Sequence, residues 1–282
     1  MSNFNKVKSY IMDTLIQVSI GLVIGYAILM AGMFFFQRSL LYHPVKQMAY
    51  PKNYGMDVYN TEIITLKTED DNATIAWFTP PKKNKPIMVY YHGNAGNLGD
   101  RAEKLKTFLN NTGGYGQLAV SWRGYGGSSG SPTEQGLYSD ARAAIDYLIN
   151  KGHKAEDIFL YGESLGTGAA VQMATEYPVK AIILEAPFTS VDNRAAELYP
   201  YIPARLLLRD KFLSIDKIDS VKAPVLIFHG YLDNIMPIAH GRKMLEAANE
   251  PKEARFYENV GHTNFNFNEI STVTYEFIEN IK

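Results

Sequence analysis

The pentapeptide Gly162-Glu163-Ser164-Leu165-Gly166 constrains this chain more than any other feature, because it lies between a strand-like run and a helical one. Asp157-Ile158-Phe159-Leu160-Tyr161 before it is short, apolar and β-prone, whereas Leu165 to Glu176 after it is Ala-rich and reads as helix. A serine at such a junction, with glycine on both sides, sits on a tight strand-to-helix turn with its hydroxyl exposed. The Leu165 N–H, at the helix start, points into the same space and suits a developing oxyanion. The competing reading is a glycine-rich turn with an incidental serine, and the two differ in whether partners exist elsewhere in the chain.

A serine hydroxyl needs a histidine base, which in turn needs an orienting carboxylate. After a strand-turn-helix serine the expected chain order is Ser, Asp or Glu, His. Of the downstream histidines, His229 ends the apolar run Val225 to Phe228 and reads as a buried or turn residue, and His240 falls in the helical stretch 237–248 on an expected solvated face. His262 follows the strand-like run Ala254 to Tyr257 and a short loop, and is the expected base. Asp192, Asp210, Asp216 and Asp219 lie in polar or helical stretches and read as surface charge. Asp233 lies in the loop after the strand Pro224 to Phe228, at the sheet edge where open α/β folds place their sites, and is the expected acid. Glu185, ending the run Ala181 to Leu184, is the second candidate.

The oxyanion needs a further N–H from the loop after an early central strand. Ile87 to Tyr91 is such a strand, and His92-Gly93-Asn94-Ala95-Gly96-Asn97 follows; Asn94 is the expected donor, with Ala95 a near alternative. His92 has no neighbouring ligand at usable spacing for a metal, and no phosphate-binding G-x-x-x-x-G-K-[ST] is present, so neither metal nor cofactor is expected.

Several further segments recur together in one group: Phe36-Gln37-Arg38-Ser39-Leu40-Leu41-Tyr42-His43-Pro44, the loop from His92 to Asn97, Trp122-Arg123-Gly124-Tyr125-Gly126-Gly127-Ser128, the Gly-Glu-Ser-Leu-Gly turn, His229-Gly230 with Asp233, and Gly261-His262. With these the chain, over about residues 36 to 280, resembles the Bem46-type membrane-associated serine hydrolases of the α/β-hydrolase fold. The resemblance implies ester or thioester hydrolysis by Ser164, Asp233 and His262, the set already reached from placement. Ser121-Trp122 departs from the Asp-Tyr that the group often has before Arg-Gly, a change expected to touch packing more than chemistry.

Strand-like runs at 62–66, 74–78, 87–91 and 118–121 precede the serine, and runs at 180–184, 225–228 and 254–257 follow it. Helical patterns at 100–110, 133–150, 165–176, 238–248 and 269–280 separate most of them, which predicts a mostly parallel sheet covered on both faces. The first two runs have no helix between them and read as an antiparallel edge hairpin. Residues 38–282 form one such domain. The segment 187–213, with Tyr199-Pro200-Tyr201-Ile202-Pro203 and Arg205-Leu206-Leu207-Leu208-Arg209, interrupts the alternation and is expected to be a small cap offering an acyl-binding surface; simple packing on the domain is the alternative.

Residues 1–37 carry a separate message. Thr14 to Phe36 contains no charged residue, long enough at about 1.5 Å per residue to cross a hydrocarbon core of roughly 30 Å. A single-pass anchor is expected in preference to a cleaved signal peptide, since Phe34-Phe35-Phe36 stands where a polar mature start would be. Lys6 and Lys8 on one side oppose Arg38, Lys46 and Lys52 on the other, so the charges leave orientation open. A formal net charge of −1 with mixed signs argues against nucleic-acid binding, and zero cysteines exclude disulfides, a thiol nucleophile and cysteine lipidation. The expected function is hydrolysis of carboxylic esters or thioesters, of acyl lipids or acylated substrates near a membrane. A serine peptidase or acyltransferase would use the same three residues, and a catalytically silent membrane-tethered binding module is the reading from another class.

Overall fold

The computed structural model describes residues 3–281. Eight strands form one sheet: β2 (Glu62–Lys67), β3 (Ala73–Thr79), β4 (Ile87–Tyr91), β6 (Gly116–Val120), β7 (Ile158–Glu163), β8 (Ala181–Glu185), β9 (Val225–Gly230) and β10 (Lys252–Tyr257). Their spatial order is β10-β9-β8-β7-β4-β6-β3-β2. The six strands from β4 onward are mutually parallel, whereas β2 and β3 pair antiparallel at one edge, with β3 antiparallel to β6. β4, β6, β7, β8 and β9 are buried along their whole length, which is why they read in sequence as unbroken apolar runs without alternation.

Helices cover both faces: α2 (Ala102–Asn111) and α8 (Phe267–Asn280) on one, α3 (Glu134–Asn150), α4 (Leu165–Glu176) and α7 (Ile238–Ala247) on the other. Their starts are written locally. Thr133 Oγ1 accepts the Gly136 N–H at 3.0 Å to cap α3, and the Asn266 side chain accepts from Asn268 and Glu269 to cap α8. Each expected strand and helix is present, displaced by at most a few residues; β6 ends at Val120, so Ser121 lies just outside it.

Three features fall outside the sequence expectation. β1 (His43–Pro44) pairs in parallel with β5 (Ala95–Gly96), tying the segment after the first helix to the loop after β4. The segment 187–213 contains two short helices, α5 (Val191–Leu198) and α6 (Ala204–Leu207), rooted on the core by the fully buried rings of Phe188 and Phe212. The apolar run belongs to one long helix, α1 (Asn3–Leu41), which continues past the uncharged stretch to dock on the domain. Its span 4–41 has a mean hydropathy of 2.2 over the best window, none of that window is buried, and among the described residues it is the one helix long and apolar enough to cross a membrane.

Candidate active site

The loops at the carboxyl ends of β4, β7, β9 and β10 converge on one point. After β7 the chain turns at Ser164, whose backbone adopts φ 50° and ψ −114°. A non-glycine residue in this region costs on the order of 1–3 kcal/mol, and the turn is held by the contacts around it. Ser164 N–H donates to the Glu185 carbonyl at 2.8 Å, and its own carbonyl accepts from Thr167 N and Thr167 Oγ1. The flanking glycines are sterically required. A Cβ at Gly162 would lie 2.6 Å from the Gly166 carbonyl oxygen, and one at Gly166 would overlap the Tyr91 carbonyl.

His262 Nε2 lies 2.8 Å from Ser164 Oγ, and its Nδ1 lies 2.7 Å from Asp233 Oδ2. Leu232 N–H donates to the Val260 carbonyl and Tyr231 N–H to the Tyr257 carbonyl, which zips the two loops together and brings acid and imidazole into register. Asp233 Oδ1 accepts the N–H groups of Ile235 and Met236 at 2.9 and 2.7 Å. Burial alone would raise this carboxyl, but the imidazoles of His229 and His262 and the Met236 N–H hold it well below the usual carboxylate range. His229 is buried, as expected, and faces the Met236 carbonyl with Nε2 at 2.7 Å, 3.4 Å from Asp233.

Other expectations are corrected. His240 does not lie on a solvated helix face: it is buried, with Nδ1 2.9 Å from Thr189 Oγ1 and Nε2 3.1 Å from Glu197, so it staples α7 to α5. Asp192 and Asp210 are also buried. Ser190 caps α5 while donating to Asp192, and Asp210 pairs with Arg38 at 2.8 Å; Asp216 and Asp219 are exposed as expected. Glu185 does not face the imidazole. Its carboxylate accepts from Lys104 Nζ and Tyr161 OH, and it is fully buried.

The loop after β4 places Asn94 beside Ser164 and Leu165. Among the described residues, neither the Asn94 N–H nor the Leu165 N–H donates to a protein acceptor. Asn94 is anchored on both sides: its carbonyl accepts from Tyr125 OH at 2.7 Å and His43 N at 2.9 Å, and its side-chain amide donates to the Leu41 carbonyl at 2.9 Å. His92 is fully buried, and burial pushes its imidazole down to about 3, which keeps it neutral. It takes the Trp122 N–H on Nε2 at 3.3 Å and lies with Nδ1 2.7 Å from the Gly93 carbonyl, a scaffold histidine. No group of three or more His, Cys, Asp or Glu suited to a metal occurs among the described residues.

Ser164 opens onto a cavity of about 220 Å³. Its walls are Phe188, Val191, Ala195, Leu198 and Leu207 from the 187–213 segment, Ile235 and Met236 from the loop after β9, and Met33, Leu40 and Leu41 from α1. Gln37, Asn94 and Arg194 are the few polar groups facing it besides Ser164 and Tyr199.

Residues 82–215 match the family described as serine aminopeptidase, S33. An uncharacterised protein of Mycobacterium tuberculosis is 37% identical over 233 residues, 80% of each chain. Human α/β-hydrolase domain-containing protein 17B is 34% identical over 206 residues, 71% of this chain and 69% of its own. The chain is a Bem46-type α/β-hydrolase. Among solved structures, an esterase of Pyrococcus furiosus superposes with a TM-score of 0.68 at 18% identity, covering 86% of the hydrolase and 98% of the esterase. An acetyl xylan esterase of Paenibacillus gives a TM-score of 0.64 at 19% identity over 88% and 99% of the two chains; at such identities the likeness is one of fold.

The hydrolase's distinctive segments have structural work in the site. In the Phe36 to Pro44 segment, Gln37 donates to the Leu207 carbonyl at 3.2 Å and accepts from Arg209 N at 2.7 Å, Arg38 pairs with Asp210, and His43-Pro44 pairs with Ala95-Gly96 beside Asn94. In the Trp122 to Ser128 segment, Trp122 stacks on Tyr91 at 5.4 Å and donates to the His92 carbonyl, and Arg123 joins Asp140 to Asp70. The Trp122 departure is therefore accommodated by packing behind the Asn94 loop.

Sequence reasoning missed the charged cluster beneath the serine. Lys104 Nζ lies 2.6 Å from Glu163 and 2.7 Å from Glu185, and Arg101 Nη2 lies 2.9 Å from Glu163. Tyr90 OH and Tyr161 OH donate to Glu163 and Glu185 at 2.5 Å each. Two cations and two carboxylates thus form a neutral buried quartet. The available signal was a glutamate next to Ser164 on a strand otherwise wholly apolar.

Proposed function

We propose that this hydrolase cleaves carboxylic esters or thioesters of acyl chains near a membrane through an acyl-enzyme on Ser164. The observation that carries this reading is the continuous contact from Ser164 Oγ through His262 to Asp233, opening onto an apolar cavity. Ser164 Oγ attacks the carbonyl carbon while His262 Nε2 takes the hydroxyl proton, and Asp233 holds the imidazole in the required tautomer. The new oxyanion accepts from the Asn94 and Leu165 N–H groups. Collapse expels the alkoxide or thiolate, which takes the proton from Nε2, and a water repeats the sequence to release the fatty acid and free serine. A peptide substrate is disfavoured because few polar groups line the cavity to pair with a second backbone. The silent binding module is disfavoured by two N–H groups left unpaired beside an activated hydroxyl.

The membrane part of the reading rests on α1. None of its apolar window is buried, which disfavours a core helix. Its last turns carry Gln37 and Arg38 into the hydrolase domain, which a cleaved leader would not need. Residues 1–37 are assigned as tail and anchor, 38–282 as the hydrolase domain and 187–213 as its cap.

Fluorophosphonate labelling followed by turnover of p-nitrophenyl esters of increasing chain length tests the reaction; a wild-type protein that neither labels nor turns over any ester would leave the binding module standing. The cap makes a finer expectation. Leu207 faces the cavity, whereas its neighbour Leu206 is 85% exposed. Leu207→Ser should therefore raise KM for the octanoate ester by about tenfold to a hundredfold, from a lost apolar contact of about 1.5–3 kcal/mol, with a far smaller rise for the acetate. Equal rises for both esters would mean that the segment serves folding alone. The full chain should also stay with membranes on carbonate extraction, and release into the soluble fraction would refute the anchor.

A further inference from the structure

We propose that α1 does more than tether the enzyme: together with the tip of the 187–213 segment it forms a lipid-facing entrance, through which the acyl chain of a membrane-resident ester or thioester passes directly from the bilayer to Ser164. This rests on the reading of Ser164 as nucleophile and of α1 as membrane-inserted, and goes beyond both in assigning the substrate's route and part of its binding wall to the anchor.

Three observations carry it. The cavity wall is shared between the cap and α1, since Met33, Leu40 and Leu41 line it alongside Leu207. A helix that only tethered would end before the site. The cap is also latched to α1 at two heights. Gln37 holds Leu207 and Arg209 near the helix end, and Tyr26 OH donates to the Tyr201 carbonyl at 2.7 Å, three turns or about 16 Å further along. Tyr26 lies near the middle of the uncharged run between Asp13 and Arg38, so if that run crosses the hydrocarbon, the segment bonded to it lies below the headgroups.

The tip is also built for that position. Tyr201 and Leu206 are 88% and 85% exposed, and Leu198 and Tyr199 are about half exposed, whereas the exposed Arg205 beside Leu206 lies on a different, polar face with Asn193 and Glu197. Hydrocarbon is the occupant that Tyr26 places beside the apolar side chains. The Tyr201 carbonyl, which would otherwise be costly there, is the group that Tyr26 satisfies. At about 220 Å³ the cavity is smaller than the ~300–1,000 Å³ of drug-sized pockets, and at roughly 30 Å³ per small group it takes one medium-length chain. The substrate that fits is therefore a single acyl chain whose carbonyl is presented at the interface, with any longer tail remaining in lipid.

The test uses full-length protein in phosphatidylcholine vesicles. Both native tryptophans, Trp77 and Trp122, are buried in the domain core and report a protected background. Tyr201→Trp adds an indole at the tip while keeping the carbonyl that Tyr26 binds. Its added emission should be quenched by phosphatidylcholine brominated on the acyl chains; added emission that stays unquenched, in protein that still resists carbonate extraction, overturns the proposal while sparing the anchor. Met33→Trp, which fills the cavity from the α1 side, should lower the ratio of kcat/KM for the octanoate over the acetate ester at least tenfold. An unchanged ratio in protein that still labels at Ser164 removes α1 from the site. Loss of labelling in the wild-type protein would instead strike the nucleophile assignment.

Discussion

Ser164→Ala is expected to abolish fluorophosphonate labelling and lower ester turnover by roughly 10⁶, the loss characteristic of a serine that acts as one unit with its base. Asp233→Asn should cost on the order of 10³–10⁴ in kcat, because an asparagine at the same position favours the wrong imidazole tautomer. Glu185→Gln should cost far less, since that carboxylate faces Lys104 and Tyr161 rather than His262. The pH dependence discriminates further. Asp233 is held well below the usual carboxylate range, so it keeps its charge as pH falls toward 5, and the acid loss of activity does not arise from its protonation. The pH profile of kcat/KM should therefore keep its acid limb in Asp233→Asn, at a much lower plateau. Retained labelling in Ser164→Ala, or a larger loss in Glu185→Gln than in Asp233→Asn, would overturn the assignment.

The sheet was legible because its strands are buried on both faces and so appear as apolar runs, each closed by a loop that chain order could assign to a role. Ser164, Asp233, His262, Asn94 and Leu165 could be named for the same reason, since each lies at the carboxyl end of a strand, and the structure brings all five to one place. What failed was the environment of charged residues. Asp210 reads as surface charge in a polar or helical stretch and His240 as a residue on a solvated helix face, but their partners Arg38 and Glu197 are distant along the chain. The β1–β5 pair and the contact of Gln37 with Leu207 are equally non-local, and no periodicity within a window announces them. Lys104 illustrates this most clearly. On an amphipathic helix it reads as one more solvated cation, yet its side chain is 4% exposed between two glutamates from different strands.

That quartet gives the second large expected effect, in Lys104→Met. Burial would raise the Glu163 carboxyl, and Lys104 and Arg101 override this to hold it low; burial, with the neighbouring Glu163 charge, pushes Glu185 up even with Lys104 present. Removing the ammonium leaves two buried carboxylates and one guanidinium, which reaches Glu163 but not Glu185 and is shared with Asp100. Breaking such a cluster from one side costs about 3–5 kcal/mol, or roughly 6–20 °C in Tm for a domain of this size. The sign with pH follows. In the variant the folded carboxyls titrate above the unfolded value of about 4.3, so the deficit is complete at neutral pH and shrinks as pH falls through their raised range toward 4. The gap in Tm between wild type and variant should therefore narrow between pH 8 and pH 5, and Lys104→Met with Glu185→Gln should recover part of it. Activity should fall with stability, because Glu163 precedes Ser164 and the Glu185 carbonyl accepts the Ser164 N–H, so both ends of the strained turn hang from this cluster. A Lys104→Met protein with unchanged Tm and turnover would show that the quartet neither stabilises the fold nor positions Ser164, and the positive φ at that serine would need another support.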